Sequence, residues 1–255
     1  MQHNDHGGEG PPLLIFHGLF GSARNWTSIA KELTDCAHVY TFDFRNHGDS
    51  PHTDSHTIQD LGDDILYWIA EHKIQEPILL GHSMGGMAVA ATALGHPEDI
   101  RAAIIVDIAP RHYAPHHQKE FAALKMDVSG YASRGAIDAA MQNIHPDAMV
   151  RQFLQMNLER TDGTYEWKIN VPVLEAAVMG AGIGDSIPEE GVFEGATLFI
   201  TGGDSDYVQA EDHTLIMRYF PRADIKTIIG AGHWMHYTHA NAFAQIVRRF
   251  IAGLD

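Results

Sequence analysis

Six short apolar runs punctuate the chain. Leu13-Leu14-Ile15-Phe16, Val39-Tyr40-Thr41-Phe42, Ile78-Leu79-Leu80 and Ala103-Ile104-Ile105-Val106 fall in its first half. Thr197-Leu198-Phe199-Ile200 and Ile225-Lys226-Thr227-Ile228-Ile229 fall near its end. Runs of this length, apolar at nearly every position, predict parallel strands covered on both faces rather than strands with one wet face. Helical spacing lies between them. Ile58, Leu61, Ile65 and Ile69 recur behind Thr57 and Asp60, a pair placed to cap a helix N-terminus reciprocally. Phe243, Ile246, Val247 and Phe250 give one apolar face to a helix over about residues 241–252. Such alternation predicts an α/β fold with a mostly parallel sheet and right-handed crossovers.

One stretch breaks the rhythm. Between Pro110 and about Ile187 no strong strand run occurs, while residues 118–126, 136–143 and 147–159 read as helical. A bare loop of that length is out of place in a compact domain. The expected organisation is therefore a core from residues 1–110 and 188–255, with a helical cap inserted over 111–187.

Composition narrows the class. A chain of 255 residues can bury one sizeable core, or a core with an inserted lid. The formal charge of −16 opposes binding to nucleic acid or to an anionic membrane surface. Apolar stretches all fall short of the ~18 residues that a membrane helix needs. Met1-Gln2-His3-Asn4-Asp5-His6 lacks the basic and apolar regions of a signal peptide, so the expected setting is cytoplasmic. Cys36, the single cysteine, allows no intrachain disulfide.

Candidate chemistry gathers where strand runs end. Gly81-His82-Ser83-Met84-Gly85-Gly86 follows one run directly and opens a small-residue helix, Met87-Ala88-Val89-Ala90-Ala91. This is the G-x-S-x-G arrangement, in which a sharp strand-to-helix turn lifts a serine hydroxyl clear of the sheet. Ser83 is the expected nucleophile. An acyl-transfer enzyme also needs two N–H donors for the oxygen that becomes negative. Met84, next after the nucleophile, supplies one; Leu19, in the loop His17-Gly18-Leu19-Phe20-Gly21, is the candidate for the other. His233, in Ala231-Gly232-His233-Trp234 after the last run, is the candidate base, with His17 bracing the oxyanion loop. Two aspartates compete to orient His233: Asp107, ending Ile104-Ile105-Val106-Asp107, and Asp206, after the next run. Asp43-Phe44-Arg45-Asn46-His47-Gly48-Asp49-Ser50 reads as a structural turn beneath the site. Neither His233, His236 and His239 nor His112, His116 and His117 come with ligand-spaced carboxylates or cysteines, which leaves the metal reading without support. No G-x-G-x-x-G or Walker-type loop occurs, so no cofactor is implied.

Five blocks in order carry a family resemblance: His17-Gly18-Leu19-Phe20-Gly21-Ser22, Arg45-Asn46-His47-Gly48-Asp49-Ser50, Gly81-His82-Ser83-Met84-Gly85-Gly86, Val106-Asp107-Ile108-Ala109-Pro110 and Gly230-Ala231-Gly232-His233-Trp234. Over nearly its whole length the chain resembles the α/β-hydrolase superfamily, and within it the small bacterial esterases of the YbfF type and their animal mitochondrial relatives. Most such hydrolases place the acid after the later strand, where Asp206 stands. The narrower group is taken to use the aspartate of Asp-Ile-Ala-Pro, which favours Asp107. One departure stands at the start: the family usually has a strand pair before the His-Gly loop, and twelve residues leave little room for it. The resemblance implies a serine carboxylesterase that cleaves small to medium acyl esters through an acyl-enzyme, with a Ser83–His233–Asp107 triad. Leu19, Phe20, Met84 and Trp234, with Trp167 and Val171 from the cap, are expected to form the acyl pocket. The same triad would also serve an acyl thioesterase, a carbon–carbon bond hydrolase or a perhydrolase. A non-catalytic receptor is at odds with the intact serine, histidine and acid candidates.

Overall fold

The computed structural model describes residues 1–180, 187 and 191–254. Elements run in chain order as β1 (Gln2–Asp5), β2 (Pro12–Phe16), α1 (Thr27–Leu33), β3 (His38–Asp43), α2 (Ile58–His72), β4 (Ile78–His82), α3 (Met84–Gly95) and β5 (Ala102–Val106). They continue with α4 (Gln118–Leu124), α5 (Arg134–Met141), α6 (Ala148–Leu154), β6 (Leu158–Thr161), β7 (Thr164–Trp167) and α7 (Val171–Met179). The chain closes with β8 (Ala196–Gly202), α8 (Asp212–Tyr219), β9 (Ala223–Ile228), α9 (Met235–Thr238) and α10 (Ala240–Ala252).

All six apolar runs are strands of one seven-stranded sheet in the order β1-β3-β2-β4-β5-β8-β9. Only β1 is antiparallel, hydrogen-bonded to β3 at the edge. It alone precedes β2 among the described residues. Side chains alternate between faces as strand geometry requires. Leu14, Phe16, Phe42 and Leu79 pack with α2, α3 and α8 on one side. Leu13, Ile15, Val39 and Leu80 pack with α1 and α10 on the other. The named side chains are fully buried on both faces, which is why the central runs are almost wholly apolar, while the edge strand β9 exposes Lys226 and Thr227. The α2 start behaves as expected: the Asp60 N–H donates to Thr57 Oγ1 at 3.1 Å, and the Thr57 N–H to Asp60 Oδ2 at 2.8 Å.

The chain between β5 and β8 leaves the sheet and builds a third apolar cluster, in which Phe121, Ile137, Leu154 and Leu174 are buried. Helices occur close to the three expected places, with one correction. The expected helix over 147–159 ends at Leu154, and Leu158 opens a hairpin, β6–β7, instead. Asp162 and Gly163 form its two-residue turn, both at positive φ (51° and 86°). Asp-Gly between strands is the composition that such turns favour, and Tyr165 and Trp167 supply the strand-forming residues. The position-188 edge of the expected cap lies outside the described residues.

Candidate active site

Gly81 and Gly85 make the turn between β4 and α3. A Cβ on Gly81 would sit 2.1 Å from the Gly85 carbonyl oxygen, and one on Gly85 would sit 2.5 Å from that of His17. Both positions therefore exclude a side chain. Between them Ser83 adopts φ 54°, ψ −120°, a strained conformation for any residue but glycine. Its N–H donates to the Val106 carbonyl at 2.9 Å, so the turn is pinned to the next strand.

Asp107 continues β5 in the left-handed region, at φ 52°, with only 1% exposure. Its carboxylate gathers three donors. Gly202 N–H reaches Oδ1 at 3.0 Å, while Ser205 Oγ–H and His233 Nδ1–H reach Oδ2 at 2.5 and 2.7 Å. The ring of His233 stacks on Tyr207, with centroids 4.0 Å apart and planes 17° from parallel. Its backbone carbonyl accepts from His82 Nε2 at 2.9 Å. Ring and backbone are thus both held. Asp206 is exposed and makes no hydrogen bond to His233 or to any other described residue.

On the opposite side, His17 lies fully buried beneath the Gly18–Gly21 loop. The Phe44 N–H donates to its Nε2 at 3.1 Å, which leaves the proton on Nδ1 to meet the Gly18 carbonyl at 2.8 Å. Burial pushes its pKa down and keeps the ring neutral. Phe20 sits at φ 63°, and its carbonyl accepts from Asn157 Nδ2 at 2.8 Å. The Leu19 N–H donates to no described group. As the first residue of α3, Met84 likewise has no carbonyl a turn earlier to receive its N–H.

These pieces surround two cavities that meet at Ser83. One, of about 160 Å³, is lined by Ser83, Leu19, Phe20, His233, Trp234 and, from the segment between β5 and β8, Glu120, Val150, Phe153 and Leu154. The other, of about 60 Å³, is lined by Ser83, Leu19, Met84, Met87, Ile108 and Val178. Ser83 and His233 share the first cavity wall, although no hydrogen bond joins them among the described residues. Such contacts are often long in a free enzyme and tighten around substrate. Four of the expected pocket residues, Leu19, Phe20, Met84 and Trp234, do line these cavities. Trp167 and Val171 do not. Trp167 Nε1 donates to the Met126 carbonyl at 2.9 Å and Val171 is buried in the third cluster, so both hold that segment together.

The turn after β3 is built as expected. Arg45 grips Asp64 through two bonds of 2.7 and 2.8 Å and pairs with Asp60 at 2.9 Å. Asp43 accepts from Ala23 N–H at 2.7 Å and Asp49 N–H at 2.9 Å. His236 stacks on Trp26 (4.3 Å, 11°), whereas His239 bonds Thr238, so this histidine run points in different directions. Sequence reading missed Asn157, Ser205, Tyr207 and Glu120. Ser205 and Tyr207 flank Asp206 in a loop already singled out. Nothing near Asn157 or Glu120 in the chain marks either of them.

A mostly parallel sheet, a strained serine between strand and helix, and a histidine-aspartate pair at the carboxyl edge define the α/β hydrolase class. The α/β hydrolase fold family matches residues 11–240, and this chain belongs to it. It is 32% identical over 252 residues to the esterase YbfF of Escherichia coli K12, covering 98% of this chain and 94% of that one. With the mouse sn-1-specific diacylglycerol lipase ABHD11 it shares 33% identity over 95% of this chain and 81% of the relative. A solved structure of an esterase from a marine microorganism superposes with a TM-score of 0.92 at 36% identity, covering 98% of both chains.

Proposed function

We propose that this protein is a serine carboxylesterase acting on small to medium acyl esters. Ser83 Oγ attacks the acyl carbonyl as His233 Nε2 takes its proton. The carbonyl oxygen, now negative, lies against the Leu19 and Met84 N–H groups. On collapse the ester C–O bond breaks, and His233 returns the proton to the departing alkoxide. Water, deprotonated by His233, then attacks the acyl-enzyme and releases the acid and free Ser83. Asp107 holds the imidazole in the tautomer with its proton on Nδ1 and stabilises the charged ring between the two proton transfers.

The observation that carries this reading is the 2.7 Å bond from His233 Nδ1 to buried Asp107, made by a ring that opens on the cavity holding Ser83. Family membership and the names of the relatives, an esterase and a lipase, point the same way. Residues 111–187 serve as a cap over a core of 1–110 and 188–255. Phe153 of this segment meets Trp234 at 5.5 Å between centroids, across the first cavity. Among the described residues no helix is long and apolar enough to cross a membrane, and the working environment we assign is the cytoplasm.

Ser83→Ala tests the reading. It should cut p-nitrophenyl butyrate turnover by on the order of 10⁶-fold, as loss of a serine nucleophile does elsewhere. It should also abolish fluorophosphonate labelling and leave the thermal melt in place. Turnover within tenfold of the parent would overturn the assignment.

A further inference from the structure

Ser83 and Leu19 border both cavities, but the other groups of the proposed chemistry are divided between them. His233 lines only the larger cavity and Met84 only the smaller. This division orients an ester. The oxygen that leaves must receive a proton from His233, so the alcohol lies on the His233 side. With the carbonyl oxygen at the Leu19 and Met84 N–H groups and the alcohol toward His233, the acyl chain is left the smaller cavity, lined by Met84, Met87 and Ile108. The larger cavity is thereby the alcohol side.

Its wall carries one unusual group. Glu120 on α4 is half-buried there, and it is the single carboxylate lining either cavity among the described residues. Among the described residues no lysine or arginine lines either one. Two histidines face Glu120 Oε1, His117 Nδ1 at 3.7 Å and His145 Nε2 at 3.5 Å. Burial alone would raise its pKa, but the neighbouring His117 and His145 bring it down to about 2. Beside these two histidines its carboxylate still borders the cavity, next to Val150, Phe153 and Leu154. Around it the apolar surface would suffice for a plain alkyl group, whereas a carboxylate gains from a ligand that donates to it and repels an anion.

Resting on the esterase reading above, we infer that Glu120 is a specificity-determining residue of the alcohol side. It favours esters whose leaving alcohol carries a further hydroxyl donor, such as a polyol, and disfavours leaving groups that carry an anion. The chain's overall charge of −16 adds a long-range field of the same sign. That field is screened by salt, while a partly enclosed charge is much less so.

The test compares esters with a common acyl group, namely propyl butyrate, glycerol monobutyrate and the anionic butyryl glycolate, by kcat/KM at pH 7.5 in 0.5 M NaCl. Wild-type protein should prefer the glycerol ester to the propyl ester severalfold and should discriminate against the glycolate ester by roughly 10-fold or more, the scale of one charge at close range. Butyryl-coenzyme A, whose thiol carries phosphates, should fall with the glycolate ester. Glu120→Gln should shrink both ratios by about fivefold or more. Each ratio is measured on one preparation, so partial loss of folded protein cancels. If Glu120→Gln does not fold, the wild-type series alone decides, since equal rates on the propyl and glycolate esters overturn the inference. Unchanged ratios in Glu120→Gln overturn it as well. Fluorophosphonate labelling of Ser83 separates the two levels: labelled enzyme with flat ratios loses only the Glu120 assignment, while neither labelling nor ester turnover removes the esterase reading beneath it.

Discussion

Asp107 and Asp206 differ in what surrounds them, although both follow strands at the same sheet edge. Asp107 is buried, with three donors on its oxygens, one of them His233. Asp206 faces solvent. Replacing an acid that orients a catalytic histidine leaves the geometry but favours the wrong tautomer, at a cost of on the order of 10⁴ in turnover in serine proteases. Asp107→Asn should show a loss of that order, and Asp206→Asn should stay within a few-fold of the parent in the same ester assay. A large fall confined to Asp206→Asn would reverse the assignment. The rivalry was open at the sequence level because the two positions look alike in a one-dimensional pattern. Only the paths of β5, β8 and β9, side by side, bring Ser205, Gly202 and His233 onto Asp107.

At the scale of elements, local chemistry sets most boundaries. The Thr57–Asp60 cap begins α2 where the spacing placed it, and Thr57→Ala should cost about 1 kcal/mol. Gly163, at φ 86° in the β6–β7 turn, should tolerate alanine no better, at about 1 kcal/mol. In a chain of this size each loss lowers Tm by about 2–4 °C, which calorimetry can resolve; no shift for Gly163→Ala would show that the turn relaxes. The hairpin escaped the periodicity reading because four-residue strands are shorter than the window in which a helix declares itself. Its Asp162-Gly163 turn was the available sign. Val171 and Trp167 were misplaced for a different reason. Apolar residues of an inserted segment must fill either its own core or a pocket, and one-dimensional spacing does not separate these fates.

Across the whole molecule, buried histidines set the response to acid. His17, His47, His56, His82 and His236 are all buried, and burial lowers the pKa of each, with His56 and His236 brought to about 3. One ring nitrogen each of His47, His56 and His236 has no hydrogen-bond partner among the described residues, so nothing there rewards a second proton on the ring. Above the ordinary 6.5, folded and unfolded chains both hold these rings neutral. As pH falls below 6.5 the unfolded chain takes up protons that the folded one refuses, and the loss continues toward pH 3. Each such ring costs about 1.4 kcal/mol per unit of pH in that window. Glu120 and Asp60, both held to about 2, keep their contributions down to about pH 4.5 and do not offset the trend. Tm should therefore fall steeply between pH 6.5 and 4.5 in low-denaturant melts, and a flat profile would contradict the neutral-core description.

By itself the sequence determined the six parallel strands, the strained serine turn and the two faces of the sheet, because each follows from contacts a few residues apart or from continuous apolar runs. Tertiary structure decided which aspartate meets His233, how Asn157 reaches the Phe20 carbonyl 137 positions away, and where Glu120 points. Those outcomes depend on which distant segments share a wall, and a side chain's partner across a cavity leaves no periodic trace along the chain.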